Sequence, residues 1–361
     1  MKLSDLGEGG LLDLLREWTA APSKAIAVGP GDDAAVLDLP GEATHQIVVS
    51  TDAWVEGVHF TRGLLAPDEI GHRVMAGSLS DLAAMGAVGL AAFVNLHAPP
   101  DLPVDFVRGL YQGMERIAGA CGVGIAGGDT VRGQLALGIT VLGAVPRGRA
   151  VRRSGAKVGD AVLVSGELGR SEAGRLLLSG EVGEKLPERL RVVAEAAHRS
   201  PRPRFDVARV LTTLERRTVD AGLQRETIEP VRPTAMIDVS DGLALDLRRL
   251  CAESGTGCRI EEGRIPVDGA ARRIARSRGL PEISLALGGG EDFELLFTFG
   301  AKDVDLLLDA IAKARLDVTV IGKITRGAEE LVLVGEDGTE RPLPDLGWDH
   351  FRAKPGPVPS E

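Results

Sequence analysis

The amino-acid sequence predicts a two-domain protein of the α/β (α+β) class, on three observations. Its 361 residues exceed what one core usually organises. Strand-like and helix-like hydrophobic periodicities alternate along most of the chain. A basic segment poor in apolar residues, PRGRAVRRSGAKVGD at 146–160, breaks that alternation as a connection does. The expected domains are residues 1–146 and 147–352, and the tail AKPGPVPSE, 353–361, is expected to be disordered.

In the first domain HQIVVSTDAW reads as a strand ending in acid, and APDEIGHRVMAGSLSDLAAMGA as a helix opened by Pro67 with acids in its first turn. GLAAFVNLHAP is a second strand. Phe106, Val107, Leu110, Tyr111, Met114, Ile117, Ala118 and Cys121 trace one face of a second helix, and QLALGITVLGAV alternates as a strand. In the second domain AVLVSG, TAMIDVSDG, ISLALGGGEDFELLF and VTVIG read as strands. Helices are expected near 171–180, over 187–216, over 243–253 and over 303–315, and the polar stretch ERRTVDAGLQRETIEPVRP reads as an exposed excursion.

The composition narrows the function classes. Apolar residues make up 44% and aromatics only 3%, so the cores must be built from Leu, Val, Ile and Ala. A net charge of −10 argues against a protein that binds the nucleic-acid backbone. The three cysteines, Cys121, Cys251 and Cys258, show no metal spacing, which fits a reduced cytoplasmic protein. The first 18 residues scatter acids among apolar positions and read as neither signal peptide nor membrane span, and no apolar run reaches the ~18 residues of a span.

The chemistry-bearing signal is an acid recurring beside Gly, Ser or Thr where an apolar element starts or stops. It occurs in GPGDDAAVL (Asp32 and Asp33), STDAWVEGVHF, SLSDLAAMGA, GIAGGDTVRG, MIDVSDGLALDL and GGGEDFELLF. Singly each reads as a cap or turn; six in a chain without a Walker A loop suggest one shared site. Asp81 falls on the apolar stripe of its helix between Ile70 and Val74, where a carboxylate must be bound to a metal or paired, Arg73 and Arg132 being the candidate partners. Asp238 ends a strand, and Ser240 or Asp241 is placed to cap the next helix. Asp clusters with Ser and Thr suit hard cations, Mg²⁺ above all, of the kind that accompanies phosphates. GVGIAG at 122–127 lies in the wrong order for a dinucleotide fold, and the GGG at 288–290 lacks the Lys-Ser/Thr of a P-loop.

These motifs, with GRAVRRSGAKVGD and the terminal GWDHF, resemble in order those of the thiamine-monophosphate kinase family of the aminoimidazole ribonucleotide synthetase-like superfamily. The resemblance covers about residues 4–351 and implies a cytoplasmic homodimer pairing through its N-terminal sheets, with no nucleic-acid or membrane partner. The implied reaction transfers the γ-phosphoryl group of ATP to thiamine monophosphate with several Mg²⁺ ions. Carried over by motif, the metal ligands are Asp33, Ser50, Thr51, Asp52, Asp81, Asp129, Asp238 and Asp241. Tyr111, Gly128, Asp129, Arg153 and Ser240 match nucleotide-contacting positions, and His59, Glu291 and Trp348 match acceptor positions. Trp54, Phe60 and Phe351 are further aromatic candidates, with packing the expected role of the two Phe. Two departures from the family pattern are Arg170, where many relatives carry an acid, and the length of the polar stretch at 214–233. The alternatives are another ATP-dependent synthetase or kinase of the superfamily and a catalytically silent nucleotide- or thiamine-phosphate-binding protein. Two superfamily branches that rely on a Cys near one terminus are disfavoured, since no Cys precedes Cys121 or follows Cys258.

Overall fold

The computed structural model describes residues 3–18, 23–41, 43–182, 186–220, 225–328 and 330–351. After helix α1 (Leu3–Trp18) the first sheet contains β1 (Ile26–Val28), β2 (Ala35–Asp38), β3 (His45–Val55), β4 (Val88–Ala98), β5 (Gly124–Arg132) and β6 (Ala136–Pro146). Their order is β1-β2-β3-β6-β4-β5, antiparallel throughout except for the β4–β5 pair. Helices α2 (Pro67–Ala84) and α3 (Val104–Ala120) pack together on one face of this sheet. On the other face Val88, Leu90, Phe93 and Val131 are exposed.

The second domain contains, in chain order, β7 (Ala161–Ser165), α4 (Arg170–Leu178), α5 (Glu188–Arg199), α6 (Phe205–Thr213), β8 (Glu215–Asp220), β9 (Arg225–Pro230), β10 (Ala235–Asp238), α7 (Leu243–Ser254), β11 (Gly257–Glu261), α8 (Gly269–Ser277), α9 (Ser284–Gly288), β12 (Leu295–Phe299), α10 (Val304–Lys313), β13 (Val318–Thr325), β14 (Leu331–Val334) and β15 (Glu340–Pro342). Its sheet runs β10-β12-β7-β13-β11-β14-β15. Alternate residues of β7 enter two different cores, Val162 and Val164 one and Ala161 and Leu163 the other. Burial on both faces is why β7, β10 and β12 read as unbroken apolar runs.

Helix α2 joins the domains. Its N-terminal end is marked by Pro67 and by Glu69, whose carboxylate accepts from the Ala66 backbone N–H at 2.9 Å. Every residue from Ile70 to Leu82 except Asp81 is buried, and so are Ala83 and Ala84. Ile70, Val74 and Leu79 enter the core of the first domain, whereas Ala83 and Ala84 enter a core shared with Leu163, Val207 and Phe297 of the second. A helix enclosed on all sides needs small residues where backbones approach, which explains its run of Ala, Gly and Ser.

Two expectations change. The helix expected over 187–216 divides into α5 and α6, because Pro201 and Pro203 cannot continue a helical ladder. The strand expected over 283–297 is instead α9, a glycine loop and then β12; Leu285, Ala286 and Leu287 are buried, and a short apolar run does not distinguish a buried helix from a strand. The polar excursion is a two-stranded hairpin, β8–β9. The expected disordered tail lies outside the described residues.

A Cβ at Gly113 of α3 would stand 1.9 Å from the Asp68 carbonyl oxygen, whereas one at Gly119 would meet nothing within 4 Å. Gly113→Ala is therefore expected to destabilise the protein by about 1–3 kcal/mol through overpacking. Gly119→Ala is expected to stabilise it by up to ~1 kcal/mol. Urea unfolding of both variants checks the contrast.

Candidate active site

The site forms where three element ends meet. The turn before β2 carries Asp33, the C-terminal half of α2 carries Asp81, and the last residue of β10 is Asp238. One carboxylate oxygen from each lies within 4.8 Å of the other two. Asp33 Oδ1 accepts from Arg153 Nη2 at 2.6 Å and from Nε at 3.1 Å, so the basic connection reaches back to the first domain. Asp33 Oδ2 is buried and has no hydrogen-bond partner. Asp32 shapes the turn: its Oδ1 accepts from the backbone N–H groups of Asp33 at 3.1 Å and Arg153 at 2.9 Å.

Electrostatically the cluster is unfavourable in the protein alone. Burial raises the pKa of Asp81 well above the ordinary carboxylate range, and the charges of Asp52, Asp238 and Asp33 add to it. Asp238 is raised in the same way, by burial and then by Asp33. Asp33 is raised by burial despite Arg153, and Asp32 is raised to about 6 by burial and the Asp33 charge. Neither Arg73 nor Arg132 pairs with Asp81: Arg73 bonds Glu291 at 2.7 Å and His198 Nδ1 at 3.1 Å. Ser50, the inward residue of β3 next to Asp81, donates its hydroxyl to Asp81 Oδ2. A buried carboxylate oxygen without a partner, among oxygen donors alone, fits a hard divalent cation.

β3 presents Ser50 and Asp52 on the face toward α2. Burial raises the Asp52 carboxyl, opposed by a hydrogen bond from Ser78 and increased by the charge of Asp241. Thr51 borders the cleft too, but its hydroxyl lies 3.0 Å from Thr140 Oγ1 on the neighbouring strand. This follows from the two-residue period of a strand.

The turn after β10 is organised by a residue the sequence reading missed. Asp246 Oδ2 accepts the backbone N–H groups of Ser240, Asp241 and Gly242 at 3.1, 3.0 and 3.1 Å. The sequence suggested that Ser240 or Asp241 caps α7, but no side chain caps it; Asp246 holds the turn before the helix, and Ser240 and Asp241 border the cleft. Gly242, at φ 115°, holds a backbone conformation that side chains rarely allow. Arg249 bridges Asp241 and Asp246, and Glu8 of α1 lies 3.9 Å from it. The spacing of Asp246 one turn into α7 was the available signal.

A cleft of about 1200 Å³ opens from the cluster and is bordered by Asp52, Asp81, Asp238, Ser240, Asp241, His59, Glu291 and Trp348. Glu291 sits at φ 64° and is held by Arg73, which is almost wholly buried. Its neighbours serve the fold: Asp292 accepts the N–H groups of Gly169 and Ser171 at the start of α4, and Glu294 pairs with Arg204 at 2.5 Å. Trp54, His59, His350 and Trp348 form an aromatic wall with successive ring contacts of 5.5, 5.0 and 5.7 Å. Burial lowers the His59 pKa, so its ring is neutral at pH 7, and His59 Nδ1 accepts from the Val55 N–H at 3.0 Å. Phe60 is buried in the first core, while Glu8, Arg175 and Arg278 border the cleft without having been anticipated. Arg170 pairs with Asp268 at 2.8 Å and with Glu167, away from the acidic cluster.

Tyr111, Gly128 and Asp129 are brought neither to the acidic cluster nor to this cleft. Tyr111 packs half-buried on α3 against the first core. Gly128 and Asp129 stand exposed on the edge strand β5. In register, Asp129 is aligned through Asn95 and Gly138 with Ala53, three strand spacings away. That is roughly 14 Å along the sheet from the Asp52 region.

Comparison with known proteins gives a consistent picture. Residues 31–145 match the AIR synthase related protein family in its N-terminal domain and residues 157–334 in its C-terminal domain. A thiamine-monophosphate kinase of Synechococcus elongatus is 38% identical over 97% of this chain and 98% of its own. That of Bacillus subtilis is 32% identical over 91% and 94%. Among solved structures, one described as AaThiL complexed with AMPPCP and TMP superposes with a TM-score of 0.78 at 30% identity, covering 97% of this chain and 99% of that one.

A carboxyl whose pKa is raised by folding stabilises the fold below its ordinary pKa and loses that contribution as pH rises through the raised value. Without divalent cations, stability should thus fall between about pH 4 and pH 7 as Asp32, from 3.8 to about 6, and Asp246, from 3.8 to about 7, ionise. By the same sign, Asp81→Asn should raise the melting temperature of the metal-free protein at pH 7.5 while reducing the further gain that Mg²⁺ produces in the wild type. Thermal unfolding in chelator and in Mg²⁺ tests both statements.

Proposed function

The chain belongs to the thiamine-monophosphate kinase family of AIR synthase related proteins, and from that premise we infer that it phosphorylates thiamine monophosphate to thiamine diphosphate at the expense of ATP. The observation that carries the reading onto this chain is the convergence of Asp33, Asp81 and Asp238, of which Asp81 and Asp238 border a cleft that Trp54, His59 and Trp348 also line. Both reactants bear phosphates, so the task is to neutralise charge and align oxygens. Asp33, Ser50, Asp52, Asp81, Asp238 and Asp241 are the residues that would hold Mg²⁺. When bound, Mg²⁺ supplies charge neutralisation across the nucleotide phosphates and the incoming oxygen.

The chain's own residues supply position. Arg153 holds Asp33 through its Oδ1 and leaves Oδ2 buried without a hydrogen-bond partner. Asp246 and Arg249 hold Ser240 and Asp241 at the cleft edge. The phosphate of the acceptor has a second pKa near ~6 and is mostly ionised at pH 7, so no side chain is required as general base. Trp348, with Trp54 and His59, offers a face for the cationic thiazolium ring, an interaction of about 0.5–2 kcal/mol. Glu291, fixed by Arg73, offers a carboxylate at the same wall.

We place the reaction in a homodimer. The support is the exposed apolar face of the first sheet, Val88, Leu90, Phe93 and Val131, beside Gly128 and Asp129, which lie outside the cleft of their own chain. Pairing through that face is the arrangement in which Gly128 and Asp129 gain a role in nucleotide binding. No helix of the described residues is long and apolar enough to cross a membrane.

Purified protein incubated with ATP, Mg²⁺ and thiamine monophosphate should form thiamine diphosphate, read as fluorescence after oxidation, and chelator should abolish it. Asp33→Asn and Asp241→Asn should each lower turnover by about 100-fold or more with the fold retained. Trp348→Ala should raise KM for the acceptor more than it lowers kcat. Full activity in the Asp variants would remove those residues from the site.

A further inference from the structure

A second cavity, of about 240 Å³, lies between the interdomain connection and the segment entering β10. Arg149, Arg152 and Arg232 line it together with Ser154 and Thr234, and no carboxylate does. In a chain of net charge −10 this is unusual, since most arginines here sit in ion pairs. Among the described residues, none of these three has a salt-bridge partner. Arg232 is only partly exposed, its Nε is buried without an acceptor, and its Nη1 reaches the Arg149 carbonyl oxygen at a long 3.4 Å. Burial and the neighbouring Arg149 charge both disfavour the Arg232 cation, the reverse of what salt-bridged arginines such as Arg153 experience. The Arg149 and Arg232 charges oppose one another beside this cavity, an anion joining them would relieve that, and guanidinium forks match phosphate oxygens.

We propose that the cavity lined by Arg149, Arg152 and Arg232 binds a small inorganic phosphate-type anion, orthophosphate or pyrophosphate, apart from the catalytic cleft. Separation follows from β10: Thr234 precedes the strand and Asp238 ends it, so the two sites lie about 13 Å apart along it at ~3.3 Å per residue. The volume is below the ~300–1,000 Å³ of pockets that enclose larger ligands, which selects an inorganic anion over a nucleotide. The connection that supplies Arg149 and Arg152 also supplies Arg153, the partner of Asp33. An anion bound here therefore steadies the segment that orients the catalytic cluster. The binding itself does not depend on the kinase reading.

The test is calorimetric titration of pyrophosphate and of orthophosphate into the full chain, at low ionic strength and in chelator so that the acidic cleft binds no phosphate. One saturable site is expected, occupied competitively by the two anions and at least tenfold more weakly by ADP. Arg232→Gln should weaken pyrophosphate at least tenfold, and Arg149→Gln, at an exposed position, should weaken it with no change in melting temperature. Asp52→Asn, in the cleft, should bind as the wild type does. Affinity unchanged in both Arg variants, affinity lost in Asp52→Asn, ADP binding tighter than pyrophosphate, or no saturable binding in the wild type would each overturn the proposal.

Discussion

Three carboxylates drawn from both domains converge within 4.8 Å, and much of this structure serves to hold those like charges together. Left to themselves they would separate or take up protons, as the raised pKa values of Asp33, Asp81 and Asp238 express. What prevents separation is the rigidity of their supports. Asp81 is carried by a helix enclosed by both domains, Asp238 ends a strand buried on both faces, and Asp33 is held by Arg153. The energy for that confinement comes from aliphatic burial in three cores, of which the one joining Ala83 and Ala84 to Leu163 and Phe297 fixes the domain seam.

The acids around the cleft divide by what they hold. Asp32, Asp246 and Asp292 accept backbone N–H groups and shape turns at the cleft edge. Glu291 and Glu294, three residues apart, are held by arginines from different domains, Arg73 and Arg204. Asp33 differs in that its Oδ2 is buried inside the cluster region without a hydrogen-bond partner, which leaves coordination capacity. Asp246, whose oxygens are taken by backbone N–H groups and by Arg249, is a positioning residue for its neighbours Ser240 and Asp241.

The two-domain organisation, the identity of α2 and the place of Asp81 were legible in the sequence because they rest on local periodicity and on the anomaly of a carboxylate in an apolar stripe. The pairing of Asp33 with Arg153 was not, because it spans 120 positions and depends on the path of the connection. The helix α9 was misread as strand because a short buried run carries no period, and the α5–α6 break was missed although Pro201 and Pro203 mark it. Asp246 escaped notice because an acid in the first turn of an amphipathic helix is an ordinary feature, whether or not it reaches back to the preceding turn. Asp129 shows the opposite limit: its motif is clear, yet one chain alone does not bring it to the cleft.

The most direct test of the central claim, that this cluster exists to hold cations beside a nucleotide, is anomalous diffraction from crystals soaked in Mn²⁺ and a non-hydrolysable ATP analogue. The account predicts a Mn²⁺ peak at roughly 2.0–2.3 Å from carboxylate oxygens of Asp81 and Asp238, with Asp33 Oδ2 drawn into its coordination sphere. Bound nucleotide with no metal peak between those three residues would contradict it.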